Sequence, residues 1–558
     1  MPPLHSPHQR TLSSHSALQK TRPCRTGVSY GQPCDITGEI HTINAVDMCS
    51  VEDQGPEERE GTSRTHCSTC FHPCMRSHHP LLSNPTQLQR FKYALLCPPH
   101  GRVGKWLTGL LILCLVFGSL VSLLGDTALP GGNIFSLFIL FLAAEAAGRV
   151  VEPLRLPPLL GMLVVGILLK SVPGINHVGK SINQEWSTAL RNLALVIILL
   201  RAGLGLDPAA LKQLSLMVVR LAFSPCVVET LVVAVVTHLL LGFPWLWGLM
   251  LGFVLGAVTP AVIVPCMLVL SQKGYGVDKG IPTLVIAASS VDDVLAISGF
   301  GVLMGITFAE GELWVVILKG PFEVVVGLIY GVVLGMLCWV LPVPSEHNAP
   351  LLRFVVLLTA GVVSLFGSPL IHLGGSGALG CLVMAFVAGF GWRKQGMTEE
   401  NYVDKMLEHM WMFFQPFLFA LIGAEIQVDK LEGSTIGYGL LTLFVGLVFR
   451  MVTSFLVVMG GELNMKERLF VAFAWLPKAT VQAAIGSQAL DYARKTNAGP
   501  EEERLGEQVL TIAVLSILLT APVGAAAIML TAPRLLGKSS QAKEGVGEMD
   551  EAAKEPPE

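Results

Sequence analysis

Two adjacent acids, Asp292 and Asp293, stand inside the apolar run GIPTLVIAASSVDDVLAISGFGVLMGITF. At about 1.5 Å per residue they fall roughly 17 Å along a helix that crosses about 30 Å of hydrocarbon, which is the bilayer centre. A bare charge there costs about 2.5–3.5 kcal/mol on insertion scales, so two neighbouring acids at that depth need water, partners or an ion. Hydroxyls such as Ser289, Ser290 and Ser298 are the plainest partners for one buried acid; a second in succession asks for more. Consecutive helical residues point about 100° apart, so the two carboxylates must face different partners. Carboxylate, carbonyl and hydroxyl oxygens together make a hard-oxygen site suited to Na⁺ or Li⁺. A carboxylate can hold either a cation or a proton, and mutually exclusive occupancy is all that exchange of one for the other requires. The metal expectation is therefore Na⁺ on Asp292 and Asp293, with no cofactor.

Other polar residues lie at matching depths in other apolar runs. The sixth run carries GAVTPAVIVP and the thirteenth WLPKATVQAAIG, each with an interior proline, Pro260 and Pro477, and a nearby threonine, Thr259 and Thr480. An interior proline removes a backbone donor and frees a carbonyl, so both helices are candidates for breakage near the midplane. Simple kinking is the bland alternative, but matched positions in helices of opposed direction favour a pair of broken helices beside the acids. One aspartate is then expected to face the sixth helix, with Thr259 and Pro260 at the ion, and the other the thirteenth, where Lys478 sits in the break. One helix before each broken span come Glu229, in SPCVVETLVVAVV, and Arg450, in LFVGLVFRMVTSFL. Opposite signs at similar depth predict an interhelical ion pair, and a static brace is its better reading because Arg releases no proton. Glu425, in ALIGAEIQVDK, is close enough to a helix end for its carboxylate to reach the interface, and a gating role is the weaker reading.

These residues need a membrane around them, and composition supplies one. The 558-residue chain is 52% hydrophobic and only 14% charged, with a mean hydropathy of +0.60, values that place it in lipid. A formal net charge of −3 gives no basic excess that would point to nucleic acid. Residues 1–100, rich in His, Pro, Ser and Cys and without periodicity, read as a disordered cytosolic tail with no cleavable signal. Seven of the 12 cysteines lie there, and Cys67, Cys70 and Cys74 among His66, His72, His78 and His79 only loosely resemble a zinc site, since a second ligand pair is missing. Residues 101–537 read as one membrane domain and 538–558 as a disordered cytosolic C-terminal tail. Apolar runs place about fourteen helices, beginning near 104, 133, 157, 189, 213, 245, 281, 313, 353, 376, 404, 434, 467 and 507. Lys and Arg around Arg90, Lys92, Arg102 and Lys105 favour a cytosolic N-terminus, and Lys273, Lys279, Arg393, Lys394, Lys405, Lys466 and Arg468 then share that side. Arg494, Lys495 and Arg504 run against the rule. The fold class expected is an all-α polytopic membrane protein with inverted repeats and two crossed, broken helices.

Together, TPAVIVP, SSVDDVLAISGF, GAE and WLPKATVQAAIG resemble the cation/proton antiporter superfamily, and within it the animal sodium/hydrogen exchanger subfamily B branch. The resemblance covers roughly residues 100–540. It implies a homodimer, a six-helix ion-carrying core, a separate dimerisation domain and an extra first helix at the dimer interface. It also implies Na⁺/H⁺ exchange by alternating access, with Asp293 at the position of the essential aspartate and Asp292 at its neighbour, which is Asn in electroneutral relatives. Thr259, Pro260, Lys478 and Thr480 fall in the crossed unwound segments. Arg450 stands where electrogenic bacterial relatives have a lysine, with Glu229 as its partner. The acid pair thus points to electrogenic exchange and the arginine to electroneutral exchange.

Two other classes compete. A sodium-coupled organic-anion symporter of similar inverted-repeat fold would want a wider cavity and no acid pair. An intramembrane aspartyl protease needs aspartates on separate helices facing one water, which adjacent residues of one helix do not supply; no enzyme is expected. The partners expected are Na⁺ or Li⁺, protons, membrane lipid and a second copy of the chain. Plasma, endolysosomal and mitochondrial membranes fit the sequence equally.

Overall fold

The computed structural model describes Thr86 and residues 101–154, 156–206, 215–309, 313–343, 346, 348–371, 373–396, 402–426 and 433–539. The Cys67 cluster and residues 540–558 lie outside them. Two units separate, Met1–Gly104 and Lys105–Glu558, and nearly all the described helices belong to the second. Among the described residues that unit contains no strand beyond one isolated bridge, Tyr275 with Lys538.

Eighteen α-helices form among the described residues. In chain order the first are α1 (Gly101–Leu124), α2 (Asn133–Val151), α3 (Pro158–Ser171), α4 (Asn176–Lys180), α5 (Gln184–Gly205), α6 (Ser215–Leu241), α7 (Trp245–Gly256), α8 (Pro260–Gln272) and α9 (Ile281–Thr307). Then come α10 (Leu313–Val340), α11 (Ala349–Gly367), α12 (Ser376–Lys394), α13 (Tyr402–Glu425), α14 (Gly433–Val457), α15 (Met465–Ala474), α16 (Thr480–Gly486), α17 (Gln488–Thr496) and α18 (Pro500–Leu535). Their starts are chemically marked. Prolines open α3, α8 and α18, where a missing N–H is no loss. Asn183 Oδ1 caps α5 by accepting from Glu185 N at 2.7 Å, and Asn464 with Glu467 forms a capping box on α15.

Among the described residues, eleven spans are long and apolar enough to cross a membrane, counting α7 and α8 as one. The expected fourteen are not reached by that measure. α3 is short, α13 carries Asp404, Lys405 and Glu408 in its opening turns, and α15 with α16 is interrupted.

Helix ends fall at two levels. Those of α9, α13 and α17 meet the starts of α5, α12 and α18 at one end, around Tyr492. At the other, Lys279 before α9 meets Glu467 of α15 at 2.8 Å, and Ser539 N donates to Gly274 O at 2.8 Å. Lys538 and Ser539, expected in a loose tail, are thus pinned to the loop after α8. Helices α6 to α9 and α14 to α18 pack mainly on one another, and α2, α3, α5 and α10 to α13 form a second group. α9 meets the second group through α10 and α12.

Candidate ion-binding site

The chain leaves helical geometry between α7 and α8, where Ala257 and Thr259 are extended, and again at residues 475–479 between α15 and α16. Each break strands backbone groups in a buried place, and the two breaks satisfy each other. Thr259 N donates to the Pro477 carbonyl at 3.1 Å. Ala479 N and Thr480 N donate to Thr259 Oγ1 at 2.5 and 3.1 Å. Gln482 Nε2 donates to the carbonyls of Val254 and Ala257 at 3.0 and 2.8 Å, and Lys478 N to Thr520 Oγ1 at 3.0 Å. Gly252 lets α7 approach α6 closely, since a Cβ there would lie 2.6 Å from the Thr230 carbonyl.

Thr259 and Pro260, expected at the ion, lie where the two breaks cross. The Thr259 oxygen already accepts two N–H groups and pins the crossing, while Pro260 opens α8 at its first position. Thr480, expected in the unwound segment, opens α16 and belongs to the same pin.

Four charged side chains, all fully buried, surround the crossing. Arg450 Nη1 lies 2.7 Å from Glu229 Oε2 and Nη2 lies 2.8 Å from Asp292 Oδ2. Arg450 also donates to the Trp475 carbonyl at 3.1 Å and to the carbonyl of Gly256. Lys478 Nζ lies 2.9 Å from Glu229 Oε1 and donates to the Leu255 carbonyl. Asp292 Oδ2 accepts a further bond from Val258 N at 2.7 Å. Glu229 and Arg450, expected to pair, do so. The partner expected for the aspartates, Lys478, is bonded to Glu229, and Arg450 holds Asp292 in its place. Two acids and two bases therefore close on themselves. Buried ion pairs persist when each charge is met by such geometry and further hydrogen bonds.

Asp293 stands outside this quartet. It is 3% exposed, its Oδ1 is buried without a hydrogen-bond partner, and no cation lies within ion-pair distance of it among the described residues. Asp292 Oδ1 is likewise bare. The hydroxyls that would have satisfied an inert acid look elsewhere: Ser289 and Ser290 both donate to the Ile286 carbonyl, at 2.9 and 3.2 Å. Adjacent residues thus offer two unpartnered carboxylate oxygens, a donor set that suits a small hard cation.

Glu425 lies at the Tyr492 end rather than at the aspartates. Arg191, 1% exposed, reaches Glu425 at 2.9 Å and Asp491 at 2.7 Å, and Arg494 reaches Glu425 at 3.1 Å. Beside this network opens a cavity of about 610 Å³ bordered by Gln184, Thr188, Asn192, Asp491, Tyr492 and Arg494, among others. Neither Arg191 nor Asp491 stands out in the sequence. Arg191 sits two turns inside α5, whereas the apolar pattern of that span begins only near 189, and a lower start would show it as a buried cation seeking an acid.

Paired broken helices that hydrogen-bond to each other, flanked by a buried acid pair, define a membrane transporter of inverted-repeat type. Residues 136–531 match the family model described as sodium/hydrogen exchanger, transmembrane, and the chain belongs to that family. It is 46% identical over 473 residues to human sodium/hydrogen exchanger 9B2, covering 83% of this chain and 87% of that one. To human sodium/hydrogen exchanger 9B1 it is 43% identical over 447 residues, covering 79% and 85%. Among solved structures, the sodium proton antiporter MjNhaP1 from Methanocaldococcus jannaschii superposes with a TM-score of 0.58 at 21% identity, covering 73% of this chain and 99% of that one; this likeness concerns the fold.

Proposed function

We propose that the chain is a secondary active antiporter that exchanges Na⁺ for H⁺ by alternating access, with Asp293 alternately holding the cation and the proton. It acts as a transporter, not an enzyme, and needs no cofactor. One observation carries this reading: a buried carboxylate oxygen with no partner on Asp293, one residue away from a quartet in which each charge meets an opposite one. Asp292 adds its bare Oδ1 as a second ligand, while its Oδ2 stays on Arg450 and Val258. Glu229, Arg450 and Lys478 hold the crossing and take no proton through the cycle. One proton then exchanges for one sodium or lithium ion. Nothing favours the organic-anion symporter, for which an acid pair would be a hindrance.

The helices that carry the crossing, α6 to α9 with α14 to α18, act as the moving core, and the remainder as the scaffold. Membrane lipid surrounds both, and a second copy completes the scaffold through α1, which is apolar on all sides and has none of its most apolar stretch buried. The end bearing Lys273, Lys279, Arg393 and Lys466 faces the cytosol.

Reconstitution into vesicles with an internal pH dye tests the proposal. Sodium or lithium gradients should drive proton movement in the opposite direction, and a chain that moves no protons under any imposed cation gradient is not an antiporter.

A further inference from the structure

Glu323 belongs to neither charge network. It lies on α10, the helix that follows the aspartate-bearing α9, and is 1% exposed. Its Oε2 accepts from Gly375 N at 3.0 Å, at the start of α12, while its Oε1 is buried with no partner. A capping carboxylate at a helix start is the ordinary reading, but a cap accounts for Oε2 alone and leaves Oε1 buried without a partner. The surroundings add acceptors rather than donors. A Cβ on Gly375 would stand 2.3 Å from both Glu323 Oε2 and the Gly301 carbonyl oxygen of α9, and one on Gly305 would stand 2.2 Å from Glu323 Oε2. Three helices without intervening side chains thus bring the Glu323 carboxylate, the Gly375 N–H and the Gly301 carbonyl to one point. The missing particle is a proton: the neutral acid removes the buried charge that Oε1 would otherwise carry without a partner.

Apart from Lys319, one turn earlier on α10, no titratable group among the described residues faces this point. Further along α10 the Tyr330 hydroxyl donates to Ala360 O at 2.7 Å. On α9 the neighbours are Gly301, Val302, Gly305 and Ile306, with Asp293 about 12 Å back along the helix. On α12 the nearest ionisable group, the Cys381 thiol, points to the Val196 carbonyl 4.0 Å away. Across Gly374 stands the Tyr492 ring, and Asp491 and Arg494 border the cavity beyond it.

We propose that Glu323 is a second proton-binding carboxylate, separate from the aspartate pair, whose occupancy sets how firmly α9 holds to α12 and so regulates exchange. Protonated, it closes the seam between moving and scaffold helices; ionised, it faces the Gly301 carbonyl and loosens the seam. The regulatory part rests on the antiport reading; the proton site does not.

Dicyclohexylcarbodiimide, which adds to protonated carboxyls in apolar surroundings, is the probe. On the purified full chain, peptide mass spectrometry should find Glu323 modified, with sodium suppressing modification of Asp293 but not of Glu323. Absence of label on Glu323 where Asp293 is labelled, or protection of Glu323 by sodium, overturns the proton site whether or not the chain exchanges. In vesicles, Glu323→Gln should match wild type at the acid end of the pH profile and be about fivefold slower at the alkaline end, with Glu323→Asp restoring the slope. A profile of unchanged shape, merely scaled, overturns the regulatory role, and should Glu323→Gln fail to fold, the labelling of wild-type protein decides.

Discussion

Among the described residues two buried ion networks stand out, and they differ in which helices they join. In the network of Arg450 every member belongs to one group of helices: Glu229 on α6, Asp292 on α9, and Lys478, bonded to Glu229, between α15 and α16. Around Arg191 the partners come from both groups, Arg191 and Glu425 on α5 and α13, Asp491 and Arg494 on α17. A network within one body survives when that body moves, whereas one that spans two bodies must break or stretch. The first is built to hold a site together and the second to hold a position, so similar bonds at 2.7–2.9 Å serve different ends.

Substitutions should separate the two. The largest effect falls beside the closed network: Asp293→Asn removes the titratable ligand at nearly constant volume and should lower sodium-driven proton flux at least about 100-fold with folding intact. Appreciable flux in that variant would contradict the assignment of the exchanging group. Arg450→Met leaves buried Asp292 without a cation and Glu229 with Lys478 alone, and should cost about 3–5 kcal/mol, read as a lowered thermal midpoint in detergent; a midpoint close to wild type would mean the quartet braces nothing. Arg191→Gln, by contrast, should shift a balance between states by about 1–2 kcal/mol, seen as faster amide exchange along α17, and unchanged exchange there would remove the distinction between the networks. Asp292→Asn should be milder, raising the sodium KM roughly tenfold while maximal rate stays within about twofold; loss of rate at saturating sodium would make Asp292 the exchanging group. A valinomycin-imposed potassium potential should have no effect on the sodium-driven pH change, and acceleration by voltage would show that a second group carries charge.

The sequence announces features that depth alone makes costly. Paired acids at mid-membrane, interior prolines at matched places and opposite charges at equal depth each violate the preference of lipid for apolar side chains, and each points to the crossing. Partner choice is less legible. Whether Asp292 meets Lys478 or Arg450 depends on a rotation of α14 against α9 that no local pattern encodes, and Thr259 is easily misplaced because a hydroxyl suits a backbone donor as well as it suits a cation. Glu323 escapes notice although it interrupts an apolar run, since LKGPFEVVVGLIY places it near enough to a helix end to sit at the interface. Its burial arises from Gly301, Gly305 and Gly375 on other helices, whose convergence only the fold supplies.

The crossing also bears on how the protein is made. Thr259 meets Ala479 across 220 positions of chain, and Asp292 meets Arg450 across 158. At about 5–20 residues per second of synthesis, the first broken helix waits on the order of ten seconds or more before the second exists. During that time the Thr259 amide, the Gly256 carbonyl and the Asp292 carboxylate have none of their final partners from the second half, in a medium that penalises bare polar groups. The nascent half must therefore shelter them by other means, as an unbroken helix, beside water in the insertion machinery or with a neutral aspartic acid. Completion of the ion site is then a late step of biogenesis, and substitutions at Arg450 or Pro477 would stall chains whose first half is faultless.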